Sequence, residues 1–171
     1  MSKYCVEAKS RNDLRKLAKI IRKALGIENE LYFPAVEVLE ILQEFDENAH
    51  YEIVTADELE DGEHAVTDIV NKVIKIREDV YEGAYDGNGR DRMTIVHEFA
   101  HFVMLCILGF KLARTFDFVE IPAYKDPEWQ AKCLAGELMM DSELINNMSD
   151  SEIAKKCGVS LPAARMQMRT I

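Results

Sequence analysis

The sequence predicts an α+β fold, in which a small three-stranded sheet packs on helices and one buried helix carries the pattern HExxH. Three observations support this class. Short β-prone stretches lie between residues 51 and 77, apolar residues recur at helical spacing on both sides of them, and a helix pair closes the chain. The 171 residues, 48% of them hydrophobic and 30% charged, have the size and composition of one globular domain with a core.

We therefore expect a single domain over residues 1–171. Its three parts are N-terminal helices in residues 1–48, the sheet and central helices in residues 49–141, and a C-terminal helix pair in residues 142–171. The final pair is predicted around the turn at Gly158, because turn residues separate two apolar patterns there.

Two helices are predicted in the first part. The first covers residues 13–25, where apolar residues recur at helical spacing, and it ends before Gly26. The second covers residues 34–45, because a proline suits the first turn of a helix.

The sheet is predicted from three short stretches, and a glycine-rich segment follows them. The strands are residues 51–55, 65–69 and 72–77. Residues 83–89 contain three glycines and are expected to form a loop. This loop lacks the Lys-Ser/Thr ending of a phosphate-binding loop, so we do not predict nucleotide binding.

Residues 97–101 read HEFAH and match HExxH. Positions four apart lie on one face of a helix, so His97 and His101 can share one Zn²⁺ ion. Glu98 would then be placed as a general base toward a zinc-bound water. The competing interpretation is a pair of core histidines hydrogen-bonded to neighbouring carbonyls.

The surroundings of this pattern favour a buried helix. The residues on both sides of it are almost all apolar, Asp91 is a possible N-cap and Gly109 a possible end. Polar groups buried in such a helix need hydrogen bonds or a metal, which favours zinc. A small sheet that leads into a buried HExxH helix is the layout of a minimal zincin-like metallopeptidase fold. Residues 73–76 are expected to line its cleft, although an ordinary sheet strand is an equally good interpretation.

Catalytic zinc needs a third protein ligand and an open fourth position. A helix is predicted from residue 127 to about residue 140, with Asp126 as its cap. Glu128 and Glu137 lie on opposite faces of this helix, so only one of them can face the zinc. The downstream carboxylates that remain possible are Asp117, Glu120, Asp126, Glu128, Glu137 and Asp141.

Two blocks resemble the ImmA/IrrE-type metallopeptidases. Residues 90–101 read RDRMTIVHEFAH and residues 128–140 read EWQAKCLAGELMM. The family patterns are R-x-R-F-T-x-x-H-E-x-x-H and E-x-x-A-N-x-x-A-x-x-L-L-M-P, and the resemblance covers roughly residues 65–170. It implies that His97, His101 and Glu128 bind Zn²⁺ and that Glu98 is the catalytic acid/base. It also implies a partner protein as substrate, a helix-turn-helix repressor of a mobile element, phage or stress operon.

Two positions depart from the family pattern. Asp141 stands in place of the final proline, and Lys132 stands where the family has asparagine, one turn after Glu128. The Lys132 cation could pair with Glu128 and weaken zinc binding, or it could extend into solvent. The alternative function is therefore a catalytically weak or inactive zincin-like protein that binds and sequesters its partner. Tyr85, Arg90 and Tyr124 are candidates for a second oxyanion donor, but a structural role is the simpler interpretation of each.

Charge and composition exclude several other classes. The net charge is −10, and residues 24–71 hold fourteen acidic residues and no Lys or Arg. This block is most simply a solvated face, with steering of a basic partner as the alternative. So acidic a chain is poorly suited to bind nucleic acid, because contacts to phosphate carry most of that affinity. Residues 151–165 resemble half of a helix-turn-helix and are better interpreted as a closing hairpin.

The cysteines and the start of the chain bear on localisation. Cys5, Cys106, Cys133 and Cys157 have no paired short spacing, so neither a disulfide framework nor a cysteine-rich zinc site is expected. The first 21 residues lack the apolar core of a signal peptide, and the longest apolar run is too short to span a bilayer. We therefore expect a cytoplasmic protein with no membrane segment.

Overall fold

The computed structural model describes residues 3–109, 111–115 and 120–171. This part of the chain is α+β, which confirms the predicted class. Its helices are α1 (Arg11–Ala24), α2 (Glu37–Glu40), α3 (Leu42–Phe45), α4 (Glu78–Tyr85), α5 (Gly89–His101), α6 (Pro127–Met139), α7 (Asp150–Cys157) and α8 (Leu161–Met168). Its strands are β1 (Lys3–Cys5), β2 (His50–Val54), β3 (Ala65–Asp68), β4 (Val73–Arg77) and β5 (Ala113–Thr115).

The three predicted strands form one mixed sheet in the order β2-β4-β3. β4 runs parallel to β2 and antiparallel to β3, and its Ile74 and Ile76 are fully buried. A second, two-stranded ribbon joins β1 to β5 in antiparallel register, with Lys3 opposite Thr115. The ribbon was not predicted, because strands of three residues carry almost no periodic signal.

The first predicted helix is confirmed as α1. Ser10 caps it in a capping box with Asp13, and Leu14, Ala18 and Ile21 are buried on its inner face. The predicted helix over residues 34–45 is wrong as a single element. It is divided into α2 and α3 at Ile41, whose backbone leaves helical geometry with φ −108° and ψ 13°. The break is at a β-branched residue, Ile41, whose weaker helix propensity lets core packing decide the backbone.

The loop predicted over residues 83–89 is only partly correct, because α4 continues to Tyr85. Gly83 lies inside this helix, where an added Cβ would come within 2.0 Å of the Asp91 carboxylate. The glycine therefore permits close packing of α4 on α5 rather than a turn. The turn itself is at Gly87, with φ +89°, and Asn88 caps α5 by accepting from Arg90 N–H at 3.0 Å. The predicted cap Asp91 lies within the first turn of α5 instead.

α5 is the central helix of the core. Its Ile95, Val96, Phe99 and Ala100 have no exposed surface, and it packs against α4, α6 and β3. A π-helix, Phe102–Ile107, continues it, and the chain turns at Gly109 with φ +65°. The predicted buried helix is therefore present, with a wider final segment that the apolar pattern did not reveal.

The C-terminal pair α7 and α8 closes on this core, as predicted. Ile153, Cys157 and Ala164 are buried, and Gly158 makes the turn with φ +64°. Arg92 of α5 is 1% exposed and donates to the carbonyls of Phe33, Cys157 and Gly158. All four cysteines are free thiols, and the described residues include no helix with the length and apolar character needed to cross a membrane.

Candidate metal centre

Three of the side chains singled out in the sequence converge at one point. His97 Nε2 lies 3.1 Å from Glu128 Oε2, His101 Nε2 lies 3.0 Å from Glu128 Oε1, and the two Nε2 atoms are 3.2 Å apart. Ligand atoms arranged tetrahedrally at ordinary zinc distances lie about 3.3 Å from one another. The two nitrogens and the carboxylate therefore fit a zinc ion with very small movements, and they leave its fourth position open.

Two helices hold these ligands in place. The histidines lie one turn apart on α5, so they face the same side. Glu128 is in the first turn of α6, which Asp126 fixes by accepting from the Glu128 N–H at 2.9 Å. The two helices can approach closely because the facing positions of α6 include the buried Ala131 and Ala135. This packing brings Glu128 within reach of a site made by residues 31 and 27 positions earlier in the chain.

The charges of the site are strongly coupled. Hydrogen bonds from His101 and His97 hold the pKa of Glu128 well below its usual range. Burial lowers the pKa of His101, but the hydrogen bond to Glu128 and its charge outweigh burial, so the pKa is raised overall. The cluster therefore favours positive charge at its centre. Protons on the histidines can provide this charge, and a divalent cation would provide it in their place.

Glu98 lies beside this cluster in a buried position. Its carboxylate accepts a hydrogen bond from the Thr67 hydroxyl at 2.8 Å, and the same hydroxyl is 3.0 Å from the Glu98 carbonyl oxygen. Burial raises the pKa of Glu98, and the nearby His101 and Thr67 offset part of this rise. A carboxylate with a raised pKa next to a metal site is suited to accept and release protons. Thr67 was not identified from sequence, because its contact depends on the strand order.

The candidate site opens into a cleft of about 360 Å³. Glu98, His101 and Glu128 line it together with β3, from Ala65 to Thr67. This corrects the expectation that residues 73–76 line the cleft, since β4 is the central strand and both of its edges are paired. Val73, Ile74 and Ile76 of β4 are buried, whereas β3 is at the edge of the sheet and its residues are only half-buried.

Other carboxylates considered as ligands have different partners. Glu137 is buried in a two-point ion pair with Arg15, at 3.0 and 3.2 Å, and Asp141 accepts from the backbone of Glu143 and Leu144. Asp126 is the α6 cap. Glu120 is exposed and not part of the cluster, and Asp117 lies outside the described residues.

The candidate oxyanion donors and Lys132 lie away from the ligands. Tyr85 and Tyr124 are 76% and 49% exposed, and neither of them nor Arg90 lines the cleft. Tyr4 of β1 lines it instead, and no local sequence signal marks that residue because β1 is placed by its pairing with β5. Lys132 is exposed, and within the described ranges the ion pairs of Glu128 are with His97 and His101. The structure therefore favours the expectation that the Lys132 side chain extends into solvent over the expectation that it pairs with Glu128.

A His-His-Glu cluster on two helices beside a small mixed sheet defines a metallopeptidase-like protein of zincin-like fold. The family model described as Peptidase_M78, IrrE N-terminal-like domain, matches residues 50–169, and the chain belongs to this family. The membership confirms the resemblance seen in the two sequence blocks and supports a metallopeptidase-like function. The family is generally associated with zinc. A comparison with curated proteins gave no match.

Removing a ligand is expected to abolish tight zinc binding. His97→Ala or Glu128→Ala should weaken zinc binding by at least about 100-fold. Loss of a residue that only hydrogen-bonds a ligand costs about 10–100-fold, and loss of the ligand itself should cost more. Lys132→Asn is the matched comparison and should change the affinity less than about fivefold, because the lysine is exposed and its charge is screened. Calorimetric titration of chelator-stripped protein measures all three. A wild-type protein that binds weakly and is rescued by Lys132→Asn would contradict this assignment.

Proposed function

We propose that this protein is a zinc-dependent endopeptidase that acts on a partner protein. The observation that carries the proposal is the convergence of His97, His101 and Glu128 at 3.0–3.2 Å, with the Glu98 carboxylate in the same cleft. Membership of a metallopeptidase-like family supports the same reaction class. In this proposal the first three residues hold Zn²⁺ and Glu98 is the catalytic acid/base.

The proposed mechanism assigns the proton transfers to Glu98. His97, His101 and Glu128 would hold the zinc ion, which would supply a Lewis acid able to lower the pKa of water toward about 7 and to polarise a carbonyl. Glu98 takes the proton of the attacking water and returns it to the leaving amine. The hydrogen bond from Thr67 anchors Glu98 Oε2 and leaves Oε1 available for the proton.

The substrate is proposed to bind as an extended strand along β3. Among the described strands, β3 pairs with β4 alone, and its residues 65–67 line the cleft beside Glu98 and His101. Backbone groups on the open edge can hydrogen-bond to an added strand, which gives affinity without dependence on sequence. The peptide carbonyl would thus be presented to the metal site from a rigid element.

The partner we propose is a helix-turn-helix repressor of a mobile element, phage or stress operon, as the family resemblance implies. A zincin-like protein that sequesters such a repressor without cutting it is the second candidate, and the departure at Lys132 is its motivation. The outward position of Lys132 favours the peptidase. Burial of α7 and α8 residues against the core favours a closing hairpin there over contact with DNA.

Zinc-dependent cleavage of a candidate repressor tests the proposal. The protein is stripped with chelator, reloaded with one equivalent of zinc and incubated with the purified repressor, and products are identified by mass spectrometry. We expect discrete fragments from the reloaded protein and background levels from the stripped protein. Stable binding with zinc present and no cleavage would support sequestration instead.

A further inference from the structure

A second groove adjoins His97, and its lining shares no residue with that of the cleft. Two adjoining depressions of about 370 and 330 Å³ share Met93, His97, Lys132 and Ala163 in their linings. We call the two together the basic groove, and residues of α1, α5, α6 and α8 line it. The side chains that determine its character are Arg11, Arg90, Met93, Trp129, Lys132 and Met166.

The basic groove and the cleft have opposite charge. Among the described residues that line the groove, the charged side chains are Arg11, Arg90 and Lys132, with no Asp or Glu. Among those that line the cleft, the acidic side chains are Glu63, Glu98 and Glu128, with no Lys or Arg. The chain has a net charge of −10, so a groove with only cations is opposite in sign to the molecule as a whole. The sign of the charge therefore changes across the two histidines.

The groove also has an apolar surface suited to a peptide. Met166 is 70% exposed, and Met93 and Trp129 are half-buried beside it. Methionine side chains adapt to different apolar partners, and exposed apolar surface of this kind marks interaction sites. Arg11 lies over the Trp129 ring, 5.7 Å from its centroid, so an aromatic side chain holds this cation at the groove.

We infer that the basic groove binds a partner segment that combines acidic and apolar side chains, on one side of the bond that is cut. Charge complementarity identifies the chemistry of the segment, because three cations surround apolar side chains. Continuity with the metal centre identifies its role, because His97 belongs to both depressions of the groove. The link to cleavage rests on the proposed function, whereas binding of an acidic, apolar segment does not require it.

Lys132 is the cation that both depressions of the basic groove share. The resemblance places asparagine at this position, whereas here a lysine lines both depressions and is not paired with Glu128 among the described ion pairs. Its charge is therefore available to a ligand. Lys132 is a specificity-determining residue in this proposal and takes no part in holding the metal.

Selection from a random peptide library tests the inference. Displayed dodecapeptides are selected on zinc-loaded protein that carries Glu98→Gln, so that bound peptides are not consumed. We expect the enriched peptides to contain apolar residues and at least about twice as many Asp and Glu as Lys and Arg. The same selection on Lys132→Glu protein should lose this excess of acidic residues. Lys155→Glu is the matched control, because Lys155 is exposed on α7, lines neither depression and changes the net charge equally.

Affinities of the enriched peptides complete the test. By fluorescence anisotropy, Lys132→Glu should weaken binding about tenfold and Lys155→Glu less than about twofold, since exposed ion pairs contribute modestly. Absence of enrichment, enrichment without acidic residues, or equal losses in the two variants would overturn the inference. Cleavage by the wild-type protein is scored separately. Peptides that bind with the expected charge preference and are not cut count against the peptidase alone, whereas peptides cut without that preference count against the groove alone.

Discussion

Glu98→Gln is expected to lower the rate of peptide hydrolysis by about 10²–10⁴-fold, the range that general acid–base groups contribute. Glutamine has nearly the shape of glutamate, and its amide oxygen can accept the hydrogen bond that Thr67 donates at 2.8 Å. It cannot take up a proton at neutral pH. The variant should therefore bind zinc with an affinity within a few-fold of the wild type, and a single-turnover cleavage assay measures the loss.

Glu63→Gln is the control for this result. Glu63 lines the same cleft and carries the same charge, but it is not part of the metal cluster. This variant should retain activity within about threefold, because only a screened charge is lost. If Glu98→Gln binds zinc and still cuts at the normal rate, Glu98 is not the acid/base. If it binds the partner and supports function in cells, the protein acts by sequestration.

The sequence predicts the positions of site residues when a single helix or strand fixes their relative geometry. The spacing of His97 and His101 fixes their relative position once a helix forms, because every α-helix has the same pitch. Spacing alone leaves six carboxylates open as the third ligand, and the family resemblance selects Glu128 among them. The structure gives a physical reason for that choice, because the buried Ala131 allows α6 to approach α5 closely.

The residues that sequence could not place depend on contacts distant in the chain. Thr67 reaches Glu98 only because β3 lies at the edge of the sheet, and the sheet order β2-β4-β3 is not encoded in any one strand. Tyr4 reaches the cleft because β1 pairs with β5, which is more than 100 residues away. The central position of β4 is not marked in its sequence either, because Lys75 and Arg77 interrupt its apolar residues.

The roles of Gly83 and Arg92 also depend on contacts between elements that are distant in the chain. Position 83 of α4 is a glycine because Asp91 occupies the space that a side chain would need, and this requirement arises only when α4 and α5 are packed together. Arg92 was noted only as part of a family pattern. In the structure it is an internal cross-link, since it joins α5 to the segment before α2 and to the turn after α7.

Arg92→Leu is expected to lower the free energy of unfolding by about 3–5 kcal/mol, because each buried carbonyl left without a donor costs about 1–3 kcal/mol and the losses are only partly additive. The carbonyls of Phe33, Cys157 and Gly158 would lose their common donor, and the guanidinium would no longer stack on the Tyr32 ring, whose centroid is 3.8 Å away. Arg92→Lys should recover little, because a single ammonium cannot reproduce the planar fork that reaches three acceptors.

Urea unfolding of metal-free protein measures this effect, with Arg90→Leu as the control on the same helix. Arg90 is exposed, so its replacement should change stability by less than about 0.5 kcal/mol. Equal losses in the two variants would contradict the role assigned to Arg92. If zinc binds the folded state as proposed, it should raise the stability of wild type and Arg92→Leu by the same amount, provided that the ligands on α5 keep their geometry. A smaller increase in the variant would mean that Arg92 also positions His97, which follows it by five residues on α5.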